Sequence, residues 1–415
     1  MRSTIPNVER ARERMKESGV AAVLASSPMG VAYLTGFDCW LYQRYTEDML
    51  VLGAPRAPKE AFAFLGQEGA PVLVADTYSS LFAWELEGVE LRCYGSAALT
   101  VAERGSRTRH AAYFGGAQAG QRETPALALS AALEEAGITG GRVAVEMASM
   151  RPETLKALRR ALPGVEFVDG WLLLALIRMV KSEAEVGFLT KAARVNEHAL
   201  YQSLVFARPG APLGELARRY MIDVAREGAV YDHYFVSPDG LGVSGASGYR
   251  LRRGEHTMVD SGCTFNRYCA DMGTTILLGR EEPAVVRRYG EIWETVDEIA
   301  DWIEPGVTPT AVMERFGALY EKERIPTQDY AGHGIGLEPR EYPIMGLGRA
   351  RPIRDGVVAT TTDLPLEPGM VISLETSVYE PGEGSYEVER TFLVGRSSLK
   401  ELTTKKDSAI FVTPG

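Results

Sequence analysis

The 415-residue sequence holds four cysteines, five histidines and no cluster of basic residues. Cys39, Cys93, Cys263 and Cys269 show neither paired metal spacing nor the density of a disulfide scaffold, which predicts a reducing, cytoplasmic setting. Lys and Arg total 45 against 55 Asp and Glu, a formal charge of −10 with no Lys/Arg run. Nucleic acid and anionic membrane surfaces need clustered positive charge, so neither is expected as a partner. The longest strongly apolar run, Trp171–Ile177, is too short to span a bilayer, and MRSTIPNVERARERM carries charge where a secretory leader needs apolar residues. The glycines of GHGIG lack the Lys-Ser/Thr of a phosphate loop. Metal or acid–base chemistry has few imidazoles to draw on: His110, His198, His233, His256 and His333.

A chain of this length that is 45% hydrophobic exceeds one ordinary core and predicts two domains. Residues 7–17 read as a charged helix stopped by Gly19, and VAAVLA (20–25) as a buried strand. Apolar runs at 61–65, 71–74 and 142–147, with helical stretches between, predict an α/β domain over 1–175. Residues 97–125 are polar and Gly-rich and read as an irregular surface excursion. A second domain is predicted over 176–415. SEAEV puts acids in a first helical turn, followed by an apolar stripe at Val186, Leu189, Ala193 and Leu200. A second helix and two strands, HTMVDSG (256–262) and CADMGTTILL (269–278), come next. Helices over 283–303 and 310–323 and strands GMVISLETSV and YEVERTFLV repeat the order. This predicts an α+β domain with an internal duplication, its antiparallel sheet backed by helices.

Acids belong on surfaces, so those inside apolar strands are informative. Asp260, Asp271, Glu375 and Glu389 each interrupt one. A core carboxylate is costly unless paired or bound to a cation. Four of them would be neutralised by two divalent cations, with His333 in the GHGIG loop as a nitrogen ligand. The same acids also read as solvent-facing or salt-bridged, with Arg390 and Arg280 as ion partners.

The series Asp260-x-Gly262, Asp271 in DMGTT, GHGIGLE (332–338), LEPGMVISLE (366–375) and VERT (388–391) resembles the pita-bread metallohydrolases, the family of creatinase, prolidase and aminopeptidase P. VAAVLASSPMGVAYLTGF resembles that family's N-terminal domain, and RMVKSEAEV (178–186) its domain junction. The resemblance implies a creatinase/prolidase-like domain followed by a pita-bread catalytic domain, usually in a homodimer or larger assembly. It also implies a metal-dependent X-Pro aminopeptidase- or prolidase-type hydrolase acting on a short peptide or similar small substrate. Asp260, Asp271, His333, Glu375 and Glu389 would bind two divalent ions, Mn first and Co, Fe or Zn as alternatives, with Glu375 moving the proton.

Three departures bear on the substrate. GLEPRE (336–341) places Arg340 where the family's peptidases have a second histidine, LGVSG (241–245) lacks another, and His233 is the nearest upstream candidate. Around the last ligand, Glu387-Val388-Glu389-Arg390 exchanges the family's flanking charges. Arginine stays protonated and can clamp a carboxylate. Arg340 is therefore expected to contact a substrate anion, and Tyr330 and Trp40 are further candidate contacts, each also readable as a packing aromatic. A non-peptide amide hydrolase, a dimethylsulfoniopropionate-lyase-like enzyme and a silent binding protein are the alternatives. Cys263 and Cys269 read as buried small residues and His198 as a surface or packing residue.

Overall fold

The computed structural model describes residues 7–49, 53, 56–95, 97, 109–242, 245, 248–326, 329–346, 350–404 and 410–413. The chain divides into two units, residues 1–178 with 354–360, and residues 179–353 with 361–415.

In the first unit, α1 (Val8–Glu17) starts where the Asn7 side chain accepts from the Arg10 amide, and α2 (Pro28–Thr35) where Ser27 accepts from Gly30. Further helices are α3 (Leu41–Arg44), α4 (Arg109–Ala119), α5 (Pro125–Glu135), α6 (Pro152–Ala161) and α7 (Trp171–Met179). The strands are β1 (Ala22–Ala25), β2 (Phe62–Gly66), β3 (Val72–Asp76), β4 (Glu90–Tyr94), β5 (Gly141–Val145) and β6 (Val165–Asp169), in the order β4-β3-β2-β1-β5-β6. Both parallel and antiparallel pairs occur, and Leu24, Phe64, Val74, Leu133, Val145 and Leu158 form the core. The expected excursion over 97–125 is corrected in part: 109–119 is helical, because an Ala-containing stretch without proline can close a helix there, while 98–108 lie outside the described residues.

The second unit opens with α8 (Glu183–Leu204). Ser182 and Glu185 form a reciprocal capping box at its start, and Leu189, Ala193 and Leu200 are buried at the predicted spacing. Helix α9 (Leu213–Arg226) and strands β7 (Val230–Val236), β8 (His256–Phe265) and β9 (Tyr268–Leu278) complete the first half. The second half repeats the order with α10 (Pro283–Trp302), α11 (Pro309–Glu323), β10 (Tyr330–Gly334) and β11 (Glu341–Gly346). Strands β12 (Pro352–Arg354) and β13 (Ala359–Thr361), whose residues 354–360 belong to the first unit, precede β14 (Val371–Glu380), β15 (Gly384–Val394) and β16 (Leu399–Glu401). Strand β17 (Phe411–Thr413) adds in parallel to β9. The sheets run β17-β9-β8-β7 and β11-β10-β14-β15-β16, the second wholly antiparallel. The duplicated α+β arrangement expected from the sequence is present.

Side chains join the two sheets. Thr275 Oγ accepts from the Glu387 amide at 2.9 Å, Ser385 Oγ from the Met258 amide at 2.9 Å, and Thr391 Oγ donates to the Asp271 carbonyl at 3.3 Å. Such bonds satisfy buried polar groups and hold the acidic strand segments face to face.

Candidate metal centre

Strand register explains which side chains meet. Across β7, β8 and β9, His233 lies opposite Gly262, which lies opposite Asp271; in the next row Phe235 faces Asp260, which faces Gly273. The glycines leave room for their neighbours. A Cβ on Gly262 would stand 2.2 Å from His233 Cε1, and one on Gly273 2.3 Å from the Glu387 carboxyl carbon. In the other sheet Glu375 pairs directly with Glu389 and Ser377 with Glu387, so three carboxyl groups share one face of β14 and β15.

His333 corrects one expectation: it lies in strand β10 rather than in a loop. Gly332 makes this possible with φ 142°, since a Cβ there would stand 2.1 Å from the Ser373 carbonyl oxygen on β14. His333 Nδ1–H donates to the Gly334 carbonyl at 3.0 Å, which leaves the Nε2 lone pair facing inward. That nitrogen is fully buried, has no hydrogen-bond partner, and lies 3.5 Å from Glu389 Oε1 and 3.9 Å from Asp271 Oδ2.

Three sets of donor atoms, each mutually within 4.8 Å, run through the centre: His233, Asp260 and Asp271; Asp271, His333 and Glu389; and Glu375, Glu387 and Glu389. All five expected ligands are therefore brought together, and two further groups join them. Glu387 escaped the sequence reading as a site residue although it sits two positions from Glu389, the strand spacing that puts both on one face. Its Oε1 accepts from Ser377 Oγ at 2.7 Å and its buried Oε2 has no partner. His233 Nε2 lies 3.1 Å from Asp260 Oδ1 and 3.3 Å from Asp271 Oδ1.

Five carboxyl groups crowded out of water cannot all stay charged unaided. Burial, with the charge of Glu389, pushes Glu375 up to about 8. Burial and the neighbouring acids raise Glu387 and Glu389 well above the usual carboxylate range. Asp260 is raised by burial and by Asp271. Burial also opposes charge on Asp271, but the His233 ring 3.3 Å away and the fields of His333 and Arg340 outweigh it, so its pKa is lowered. For His233, burial works against the cation, yet the hydrogen bond to Asp260 and the close Asp271 carboxylate prevail and push it up to about 12. A buried imidazole nitrogen and a carboxylate oxygen without hydrogen-bond partners, among acids strained by one another's charge, fit divalent cations with oxygen and nitrogen ligands.

Arg340 is exposed, with its guanidinium carbon 4.6 Å from the centre of the Tyr330 ring; that ring stacks on His333 at 5.9 Å. Glu375, Asp271 and Glu389 help hold its charge. Arg390 is not an ion partner of the cluster: it binds Glu401 at 2.8 Å and Asp297, with Trp293 beneath it. Trp40 lies in the first unit, 48% exposed and edge-on to Tyr45 at 5.5 Å. Cys263 and Cys269 are buried with thiols raised by burial, Cys263 to about 12, as small packing residues would be. His198 is exposed.

A model of metallopeptidase family M24 matches residues 187–396, and a model of the creatinase/prolidase N-terminal domain matches residues 7–180. An uncharacterized peptidase of Staphylococcus aureus is 24% identical over 254 residues, 57% of this chain and 66% of the relative, just under two thirds of its length. A Xaa-Pro dipeptidase of Pyrococcus horikoshii is 25% identical over 239 residues, 55% of this chain and 63% of the relative. The fold is also that of the crystal structure of X-Pro aminopeptidase from Thermotoga maritima, with a TM-score of 0.71 and 19% identity, covering 99% of this chain and 100% of that one.

Proposed function

The chain belongs to metallopeptidase family M24 and carries a creatinase/prolidase N-terminal domain, and from that premise we propose a dinuclear-metal hydrolase that cleaves the amide bond of a short Xaa-Pro peptide. The observation that carries this reading is the convergence of Asp260, Asp271, Glu375 and Glu389 on the partnerless Nε2 of His333. Asp260, Asp271, His333, Glu375 and Glu389 would hold the ions, with Asp271 presenting its Oδ2 3.9 Å from His333 Nε2.

Two divalent ions, when bound, lower the pKa of a shared water and polarise the substrate carbonyl. Ser373 Oγ donates to Glu389 Oε1 at 2.7 Å and fixes that carboxylate. Glu375 is the proton carrier, accepting at a carboxylate oxygen and returning the proton to the leaving nitrogen. Arg340 lies over Tyr330 at the exposed side of the centre, where it meets the substrate carboxylate, and Tyr330 supports its plane. Trp40 is proposed as a substrate contact on the sequence reading alone. The proposed setting is a cytoplasmic homodimer with Mn, Co, Fe or Zn, which suits four cysteines that remain unpaired.

The test couples metal content to turnover. Wild type is expected to hold two equivalents and to hydrolyse Xaa-Pro dipeptides, and Asp271→Ala to lose metal. Arg340→Ala is expected to raise KM for the free-acid dipeptide about 10–100-fold, the worth of a charged hydrogen bond, with a much smaller change for its C-terminal amide. Absence of metal after every loading attempt, or metal without Xaa-Pro turnover, overturns the reading; an unchanged KM in Arg340→Ala removes the anion contact.

A further inference from the structure

We propose that His233 is a sixth protein ligand of the metal pair, aimed by Asp232, so that each half of the duplicated domain contributes one imidazole; this rests on the dinuclear reading above. His233 comes from β7, ahead of the two aspartate strands, and His333 from β10, ahead of the two glutamate strands. The two rings are prepared alike. His333 Nδ1–H is engaged by the Gly334 carbonyl at 3.0 Å, and His233 Nδ1–H by Asp232 Oδ2 at 2.8 Å. In each case the hydrogen bond holds the ring with Nε2 turned inward, the arrangement that outer carboxylates and carbonyls give metal-bound histidines, and on His233 a cation would replace the Nε2 proton.

The distances suit a shared cation. Ligands about 2.0–2.2 Å from one metal, at angles between square and tetrahedral, lie about 3.0–3.5 Å from each other. His233 Nε2 is 3.1 Å from Asp260 Oδ1 and 3.3 Å from Asp271 Oδ1. A proton on Nε2 serves these two oxygens poorly: it makes a hydrogen bond to Asp260, while Asp271 Oδ1 stays buried without one. A cation satisfies both. The Asp271 carboxylate presents Oδ1 toward His233 and Oδ2 toward His333, so it would offer an oxygen to a cation held on either side.

The ring's place is built into the fold. Gly262 leaves the volume that its Cε1 occupies, since a Cβ there would stand 2.2 Å away, and Phe235 stacks on the other side with centroids 5.2 Å apart and planes 11° apart. Two imidazoles, rather than the one expected from the sequence, move the donor set toward Fe, Co and Zn relative to an all-oxygen Mn site.

The experiment is a cobalt(II) titration of metal-free protein followed by visible absorption, with bound equivalents counted by mass spectrometry and folding checked by circular dichroism. Wild type is expected to take two equivalents. His233→Ala is expected to keep about one equivalent and lose the absorption change of the second. Asp232→Asn, at a half-exposed position, weakens one of the two sites about 10–100-fold, the usual worth of an outer partner, and carries the decision if His233→Ala does not fold. Two equivalents with unchanged affinity and spectrum in both variants overturn this assignment and leave the dinuclear reading standing. No cobalt bound by wild type overturns the dinuclear reading, and this assignment with it.

Discussion

Lys181 tests how the second unit holds the loop that bears Arg340. Its ammonium lies 2.8 Å from Glu341 Oε2, with the two side chains only 1% and 6% exposed. The other oxygen, Glu341 Oε1, accepts from the amides of Leu337 at 3.0 Å and Glu338 at 3.3 Å. Gly336 leaves room for this carboxylate, since a Cβ there would stand 2.5 Å from it. One acid therefore ties residues 336–341 to the start of the unit. Lys181→Met takes the ammonium away from that buried acid, and breaking a buried ion pair costs about 3–5 kcal/mol. At about 2–4 °C per kcal/mol for a domain of this size, the melting temperature should fall by about 6–20 °C. Adding Glu341→Gln removes the stranded charge and keeps an oxygen for the amides, so the double variant should recover part of the loss. Thermal and urea unfolding of wild type, Lys181→Met, Glu341→Gln and the double variant, metal-free and in one buffer, gives the coupling. A Lys181→Met protein within about 1 kcal/mol of wild type would show that the pair is not a structural tie.

Two further outcomes follow from the centre. Glu375 titrates at about 8 against an ordinary 4.5, and His233 at about 12 against 6.5, so in metal-free protein both groups hold protons that the unfolded chain releases. The folded state binds more protons, and stability must fall as pH rises, from about 4.5 to 8 on the account of Glu375 and from 6.5 upward on that of His233. Chelator-treated protein should melt lower at pH 8 than at pH 5, and added Mn²⁺ should close the gap; a melting temperature that rises between those values contradicts the placement of these groups. Gly332→Ala sets a Cβ against the Ser373 carbonyl in a backbone conformation that suits glycine, and should cost about 2 kcal/mol or more while reducing bound metal. Wild-type melting and wild-type metal content in that variant would contradict the close approach of β10 to β14.

The residues that the sequence made visible share a physical signature, and the ones it hid lack it. Asp260, Asp271, Glu375 and Glu389 are charges inside apolar strands, where an unneutralised acid is too costly to be casual, so each stood out before any geometry was known. The duplication was legible for the same reason that the helices were: apolar stripes and their stops are written locally. His233 was legible only as the nearest upstream candidate for a substrate-binding histidine, not as a neighbour of Asp260 and Asp271. It sits in YDHYF, on a strand whose partner positions are set by the β7–β8 register, and no local pattern reveals that it faces Gly262 and, beyond it, Asp271. Glu387 was hidden for a related reason, because a Glu two residues before a Glu could equally face solvent until Gly273 is placed beneath it.

The glycines are the link between the two cases. Gly262 and Gly273 mark where another strand's side chain lies over the sheet, and they alternate with Asp260 and Asp271 along neighbouring rows, so each strand's acid stands beside its neighbour's gap. That alternation packs His233, Glu387 and four other acids within reach of one another without steric conflict. It also gathers five carboxyl groups, Asp260, Asp271, Glu375, Glu387 and Glu389, in one cluster with His233 and His333. Burial and mutual repulsion raise Glu375, Glu387 and Glu389 together, so without a cation the cluster carries fewer than five negative charges. Arg340 stands over Tyr330 as an exposed cation whose charge the nearby acids favour, and its guanidinium stays protonated at any physiological pH.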